Sequence, residues 1–143
     1  MDHLAAFDNV LPQFTLLGGS NGAALTNRIL IENDDARITH AITVVSQLMT
    51  LMYRDGSFYI GGADNSYTTE KAALTPRAVL QIVGGYDTTI PAVGGQSEIG
   101  DGSGFFLEML PWQQSAVAYA TAYGYTGSTL ATLNPDTGQH AIA

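Results

Sequence analysis

The sequence predicts an all-β fold, an antiparallel β-sandwich of jelly-roll type with at most one short helix, and three observations carry that expectation. The stretch Ala116–Thr126 (AVAYATAYGYT) alternates strictly. Val117, Tyr119, Thr121, Tyr123 and Tyr125 fall on one side, and Ala116, Ala118, Ala120, Ala122 and Gly124 on the other. A period of two puts successive side chains on opposite faces of an extended strand, and Tyr, Val and Thr fit a pleated surface. Turn signals built on Gly and Asp recur about every ten residues, the spacing of short strands in a sandwich or barrel. Asp55-Gly56 separates two such segments, and both central positions of a type I′ turn need positive φ, which makes this pair the strongest hairpin signal in the chain.

The elements follow in order. Residues 1–12 read as an irregular arm and 13–143 as one β-sandwich domain. Gln13–Leu17 is a short strand that ends in the loop GGSNG. Arg28–Asn33 (RILIEN) and Arg37–Val45 (RITHAITVV) read as strands on either side of the acidic turn Asp34-Asp35. In the second of these, Ile38, His40, Ile42 and Val44 share a face. Leu48–Arg54 and Ser57–Gly61 are the arms of the Asp55-Gly56 hairpin. Thr75-Pro76 could open a short helix that stops at Gly84. Ala78, Leu80 and Ile82 alternate with Val79 and Val83, however, and favour a strand there. Gly84–Gly104 is rich in glycine (84, 85, 94, 95, 100, 102 and 104) and reads as a long loop; such loops tend to be functional or mobile. Phe105–Leu110 resumes as a strand. Ser128–Leu133 and Gln139–Ile142 flank NPDTG, where Pro135 suits the first corner of a type I turn and Gly138 the αL position after it.

Composition excludes several function classes. A chain of 143 residues buries enough surface to need no metal or disulfide staple. The charged fraction is 13%, against the usual figure of roughly 25%, and small residues fill the difference, as on a surface that packs against other protein. The net charge is −8, and the cations Arg28, Arg37, Arg54, Lys71 and Arg77 are dispersed. Nucleic acid and anionic membranes both demand a basic cluster, so neither is an expected partner. The absence of Cys removes disulfide and thiolate chemistry. No basic n-region with an apolar run opens the chain, and no apolar stretch is long enough to span a bilayer, so neither a secretory signal nor a membrane span is expected.

Each candidate chemistry has a plainer reading. Gly18-Gly19-Ser20-Asn21-Gly22 matches the G-x-S-x-G nucleophile elbow, which requires a strand before the Ser and a helix after it. The segment that follows reads as a strand, so a glycine-rich turn is expected. Gly100-x-Gly102-x-Gly104 lacks dinucleotide-binding spacing. Carboxylates gather at Glu32, Asp34 and Asp35 and again at Glu98, Asp101 and Glu108. Two acids on opposing strands could serve a glycosidase, but neither cluster has the spacing of a Ca²⁺ loop, and both read as solvated turns. His3, His40 and His140 lack ligand spacing, and His40 among Ile38, Ile42 and Val44 reads as partly buried and hydrogen-bonded. The Tyr119, Tyr123 and Tyr125 stripe reads as half of the core, with a sugar-stacking platform or an interface as the alternatives. No catalytic set, cofactor site or metal site is expected.

On this overall character, meaning modest length, acidity, no Cys, abundant Gly, Ala and Thr, short strands and an irregular arm, the chain resembles the decoration (cement) proteins of tailed-bacteriophage capsids. The resemblance implies a non-enzymatic structural virion protein, assembled in the host cytoplasm. It would bind the outer capsid surface, stabilise contacts between major capsid subunits, and act as a homo-oligomer, a dimer before a trimer. The expected partner contacts are Leu4, Phe7, Val10 and Leu11 of the arm and Tyr86, Ile90, Val93 and Ile99 of the glycine-rich loop. A tail or baseplate subunit, a carbohydrate-binding β-sandwich and a small β-barrel enzyme using His40 are the competing readings.

Overall fold

The computed structural model describes residues 3, 6, 7, 10–100 and 106–127. Its organising unit is β1 (Phe14–Gly19), α1 (Asn21–Glu32) and β2 (Ile38–Val44), a strand–helix–strand crossover whose two strands pair in parallel. The α1 helix forms where RILIEN reads as a strand. Its buried positions are Ala23, Thr26, Asn27, Leu30 and Ile31. That is the i, i+3, i+4, i+7, i+8 stripe of an amphipathic helix. Thr26 and Asn27 hide the stripe from an apolar count, because both are polar and both are buried.

After β2 the chain forms a small antiparallel sheet of β3 (Tyr53–Arg54), β4 (Ser57–Ile60) and β5 (Thr69–Lys71), in the order β3-β4-β5. The hairpin at its start turns on Asp55 (φ 53°) and Gly56 (φ 82°), the double positive φ that the sequence predicts. The strand β6 (Ala78–Ile82) then returns to the first sheet beside β2, again in parallel, to give the order β1-β2-β6. The segment that reads as a single long loop contains β7 (Gly95–Gly100), which pairs antiparallel with β8 (Phe106–Met109). The chain then enters α2 (Trp112–Ala122).

The all-β sandwich and jelly roll are therefore overturned: the protein is mixed α/β, with a three-stranded parallel sheet, two antiparallel sheets and two helices among the described residues. The alternating Ala116–Thr126 stretch is mostly helix. Its residues are helix-compatible because alanine has the best intrinsic propensity. Packing decides the outcome, since Ser115, Ala118 and Tyr119 bury one helical stripe. The predicted strands at 128–133 and 139–142, with their NPDTG turn, lie outside the described residues.

One core joins these parts. Leu30 and Ile31 of α1, Ala41 of β2, Leu48 and Met52 of the following loop, Phe58 of β4, Met109 of β8 and Tyr119 of α2 belong to one buried cluster. Two polar devices tie the helices into it. The Tyr119 hydroxyl donates toward the Asn27 Oδ1 at 3.2 Å, linking α2 to α1. Arg77, only 6% exposed, donates to the carbonyls of Leu30 (3.1 Å), Asn33 (2.5 Å) and Ile38 (3.0 Å). Two of those carbonyls close the C-terminal end of α1, where the helix dipole is negative, so a buried cation is stabilised there without a carboxylate.

Candidate functional site

The parallel sheet has two unlike faces. Its strands pair in rows, Thr15–His40–Ala78, Leu16–Ala41–Val79, Leu17–Ile42–Leu80, Gly18–Thr43–Gln81 and Gly19–Val44–Ile82. The second and fourth rows are buried or half-buried under α1 and α2. The first, third and fifth point away from both helices, and no described element covers them. Leu17 is 72% exposed, Ile82 47% and Leu80 40%. No charged residue stands in any of the three open rows. A parallel sheet is ordinarily covered on both faces, so this is an uncovered apolar surface on an otherwise acidic molecule.

At the C-terminal end of β1 the G-x-S-x-G turn has the context that the strand reading of RILIEN denies it, with a strand before and a helix after. Ser20 takes φ 49° and ψ −119°, outside the common regions for an L-residue. Gly18 is required by packing: a Cβ there would overlap the Gly22 carbonyl and the Thr26 hydroxyl. What a hydrolase needs beyond the turn is a base on the Ser, and none meets it among the described residues. Ser20 is exposed and its side chain makes no capping bond. His40 pairs with Thr15, at the opposite end of the strands from the Gly19–Val44 row. The motif here brings β1 and α1 into contact.

The other candidates disperse. Glu32 accepts from Arg28 (2.9 Å) and from the Gly61 amide (2.7 Å). Asp34 pairs with Lys71 at 2.5 Å, and Asp35 with Arg37. The Arg37 guanidinium and amide hold the Asp35 carboxyl down to about 2, and the Lys71 ammonium lowers Asp34. Each acid thus has its own structural cation, and no group of three or more His, Cys, Asp or Glu able to hold a metal occurs among the described residues. Asp101 lies outside them, while Glu108 meets Thr50 at 3.5 Å. His40 is exposed rather than partly buried, with its Nδ1 2.8 Å from the Thr39 hydroxyl.

The tyrosines do not form an exposed stripe. Tyr119 is 2% exposed, Tyr123 is half-buried, and Tyr125 is open at 43%. Burial pushes the Tyr123 hydroxyl up to about 12, and burial, with a smaller contribution from neighbouring Tyr123, raises Tyr119 well above its ordinary value. Of the expected partner contacts, Phe7, Val10, Leu11, Tyr86, Val93 and Ile99 are exposed. Ile90 is not: it packs in the core, where its amide is held by the Asp87 carboxylate. Leu4 lies outside the described residues.

Sequence reasoning left Leu17, Leu80 and Ile82 out of the contact set. The signal was present in part, since Ile42 and Val44 share a face with His40 and Leu80 shares one with Ile82. What joins the two pairs is a parallel register between distant segments. No family model, no curated protein and no solved structure matches this chain. No helix among the described residues is long and apolar enough to cross a membrane.

Proposed function

We propose that this protein is a non-enzymatic structural subunit that docks its uncovered sheet face on a larger protein assembly, with the outer surface of a capsid as the partner that the resemblance to decoration proteins implies. The single observation that carries the reading is the open apolar face, rows Leu17–Ile42–Leu80 and Val44–Ile82. Burying such side chains gains about 25 cal/mol for each Å² of apolar area, and the absence of charge on the face removes the desolvation cost that usually offsets it.

The face is small. Three strands about 4.8 Å apart and five residues long cover roughly 250 Å², well under the roughly 800 Å² that each partner contributes to a standard interface. Phe7, Val10 and Leu11, which precede β1 in the chain, are exposed as well. An oligomer that engages several sites at once would supply the rest, with a gain of about 10²–10⁴-fold in avidity. This is why the reading includes a homo-oligomer, a dimer before a trimer.

The test is sedimentation of the protein with assembled capsids and, separately, with unassembled capsid subunits. Co-sedimentation with assembled particles alone is expected, and Leu80→Lys is expected to abolish it at an unchanged melting temperature. Retention of Leu80→Lys on the particles would show that another surface carries binding. No retention of the unsubstituted protein would end the capsid reading.

A further inference from the structure

Arg77 is a buried cation that forms no ion pair among the described residues. Asp34 lies in its field but is already paired with Lys71. A guanidinium has five N–H donors. Four go to the carbonyls of Ile38, Leu30, Asn33 and Asp35, and the fifth, on Nη1, meets no acceptor among the described residues. The C-terminal end of α1 offsets part of the charge, but a helix end carries only about half an elementary charge. The rest of the field reaches Tyr119 and Tyr123, which line with Arg77 a cleft of about 190 Å³.

The two ends of this cleft differ in chemistry. The α2 helix runs antiparallel to β6: Ser115 near its start accepts from the Gln81 side chain at 2.9 Å, and Tyr123 just past its end lies in the field of Arg77, ahead of the strand's first residue. One end therefore holds Arg77 and the Tyr123 hydroxyl, a buried group without a partner among the described residues. The other end holds Trp112, on the same turn-by-turn stripe of α2 as Ala116 and Ala120. Neither alanine carries a side chain beyond Cβ to fill the space between helix and strand.

We propose that this cleft binds a small aromatic carboxylate, with its carboxylate at the Arg77 and Tyr123 end and its ring along Ala116 and Ala120 toward Trp112. The inference goes beyond the docking face and does not depend on it. An engineered cavity of about 150 Å³ holds benzene, so the volume here suits one ring with a carboxylate attached. The carboxylate supplies the counter-ion that Arg77 lacks among the described residues and accepts from Nη1 and from the Tyr123 hydroxyl. Such charge-assisted bonds are roughly twice as strong as neutral ones. Apolar walls favour burial of the ring, and a cationic ligand is repelled by Arg77. The net charge of −8 opposes an anion only at long range, where salt screens it beyond about 8 Å.

The chain carries its own reporter, because its single tryptophan, Trp112, lines the cleft. Benzoate titrated into the full chain should change Trp112 emission saturably. Benzamide, which keeps the ring and loses the charge, should bind about tenfold more weakly, and benzylamine should not bind. Ala120→Leu, which fills the cleft, should abolish the benzoate response without lowering the melting temperature. Tyr123→Phe should weaken benzoate about three- to tenfold. Benzamide binding as tightly as benzoate would overturn the proposal on the unsubstituted chain, without any variant being needed. So would the absence of any response up to millimolar benzoate, the result expected if the rest of the chain occupies the cleft. A response that survives Ala120→Leu would place binding elsewhere, and an unchanged affinity in Tyr123→Phe would overturn the assigned orientation.

Discussion

The two faces of the parallel sheet are made by the same three strands, yet they have opposite fates. Under the helices, Ala41 and Thr43 are at most 1% exposed, and Gly18 is pressed against α1. One residue further along each strand, Leu17, Leu80 and Ile82 stand in solvent. The covered face carries small residues where helices approach closely, and the open face carries larger aliphatic ones with no described element above them. A chain that needed only to fold would gain from the reverse arrangement. The covered face supplies the packing, the open face is the one proposed to bind, and each can be perturbed alone.

The largest contrast comes from paired truncations. Leu30→Ala removes a fully buried side chain of α1 and should cost about 2–5 kcal/mol. Leu80→Ala on the open face should stay within about 0.5 kcal/mol. Urea unfolding of both variants checks this, and equal losses would mean that the open face is covered within the chain.

Next is Arg77→Met. It leaves the carbonyls of Leu30, Asn33 and Ile38 without their donor. Unsatisfied buried groups cost about 1–3 kcal/mol each, with water able to repair the more exposed one, so a loss of about 3 kcal/mol is expected in the same assay.

A smaller effect, about 1 kcal/mol, is expected from Tyr119→Phe, which removes the bond to Asn27 and keeps the ring. Its alkaline signature is distinct. Burial raises the Tyr119 and Tyr123 hydroxyls above their ordinary value of 10.0, so the folded state holds protons that the unfolded chain releases. Stability is then full below pH 10 and falls as pH rises above it. Melting temperatures of the parent and Tyr119→Phe, measured between pH 9 and 12, should show a shallower decline in the variant.

The smallest is at acid pH. Asp35 titrates near 2 when folded, against 3.8 as its ordinary value. Between those values the unfolded chain binds more protons, so the contribution of this carboxylate is present above pH 3.8 and is lost as pH falls toward 2. The pair is partly open to solvent, which keeps the effect modest. Arg37→Gln should flatten the acid limb of the melting profile and leave the melting temperature at neutral pH nearly unchanged.

Several local features were legible in the chain. Asp55-Gly56 turns as read, because positive φ is a property of those two residues and needs no partner. β2 was found with its shared Ile42–Val44 face, and the alternation at 78–82 correctly favoured a strand over a helix. RILIEN and AVAYATAYGYT were misread for one reason. Each contains a period-two pattern and a helical stripe at once, and a short window cannot choose between them. In α1 the deciding residue is Asn27, and in α2 it is Tyr119, each buried against the other. The G-x-S-x-G turn was misjudged as a consequence, because its strand–helix context depends on α1.

By itself, then, the sequence determined the turn chemistry, the acidity, the scarcity of cations and absence of thiols, and the positions of most described strands. Tertiary structure alone decided which ambiguous segments are helical, that β1, β2 and β6 pair in parallel, and that Leu17, Ile42 and Leu80 form one row. The physical reason is that a turn is fixed by the φ and ψ preferences of adjacent residues. A parallel register is instead fixed by side chains that meet only after a crossover, and the burial of Asn27 with Tyr119 joins positions that no local pattern connects.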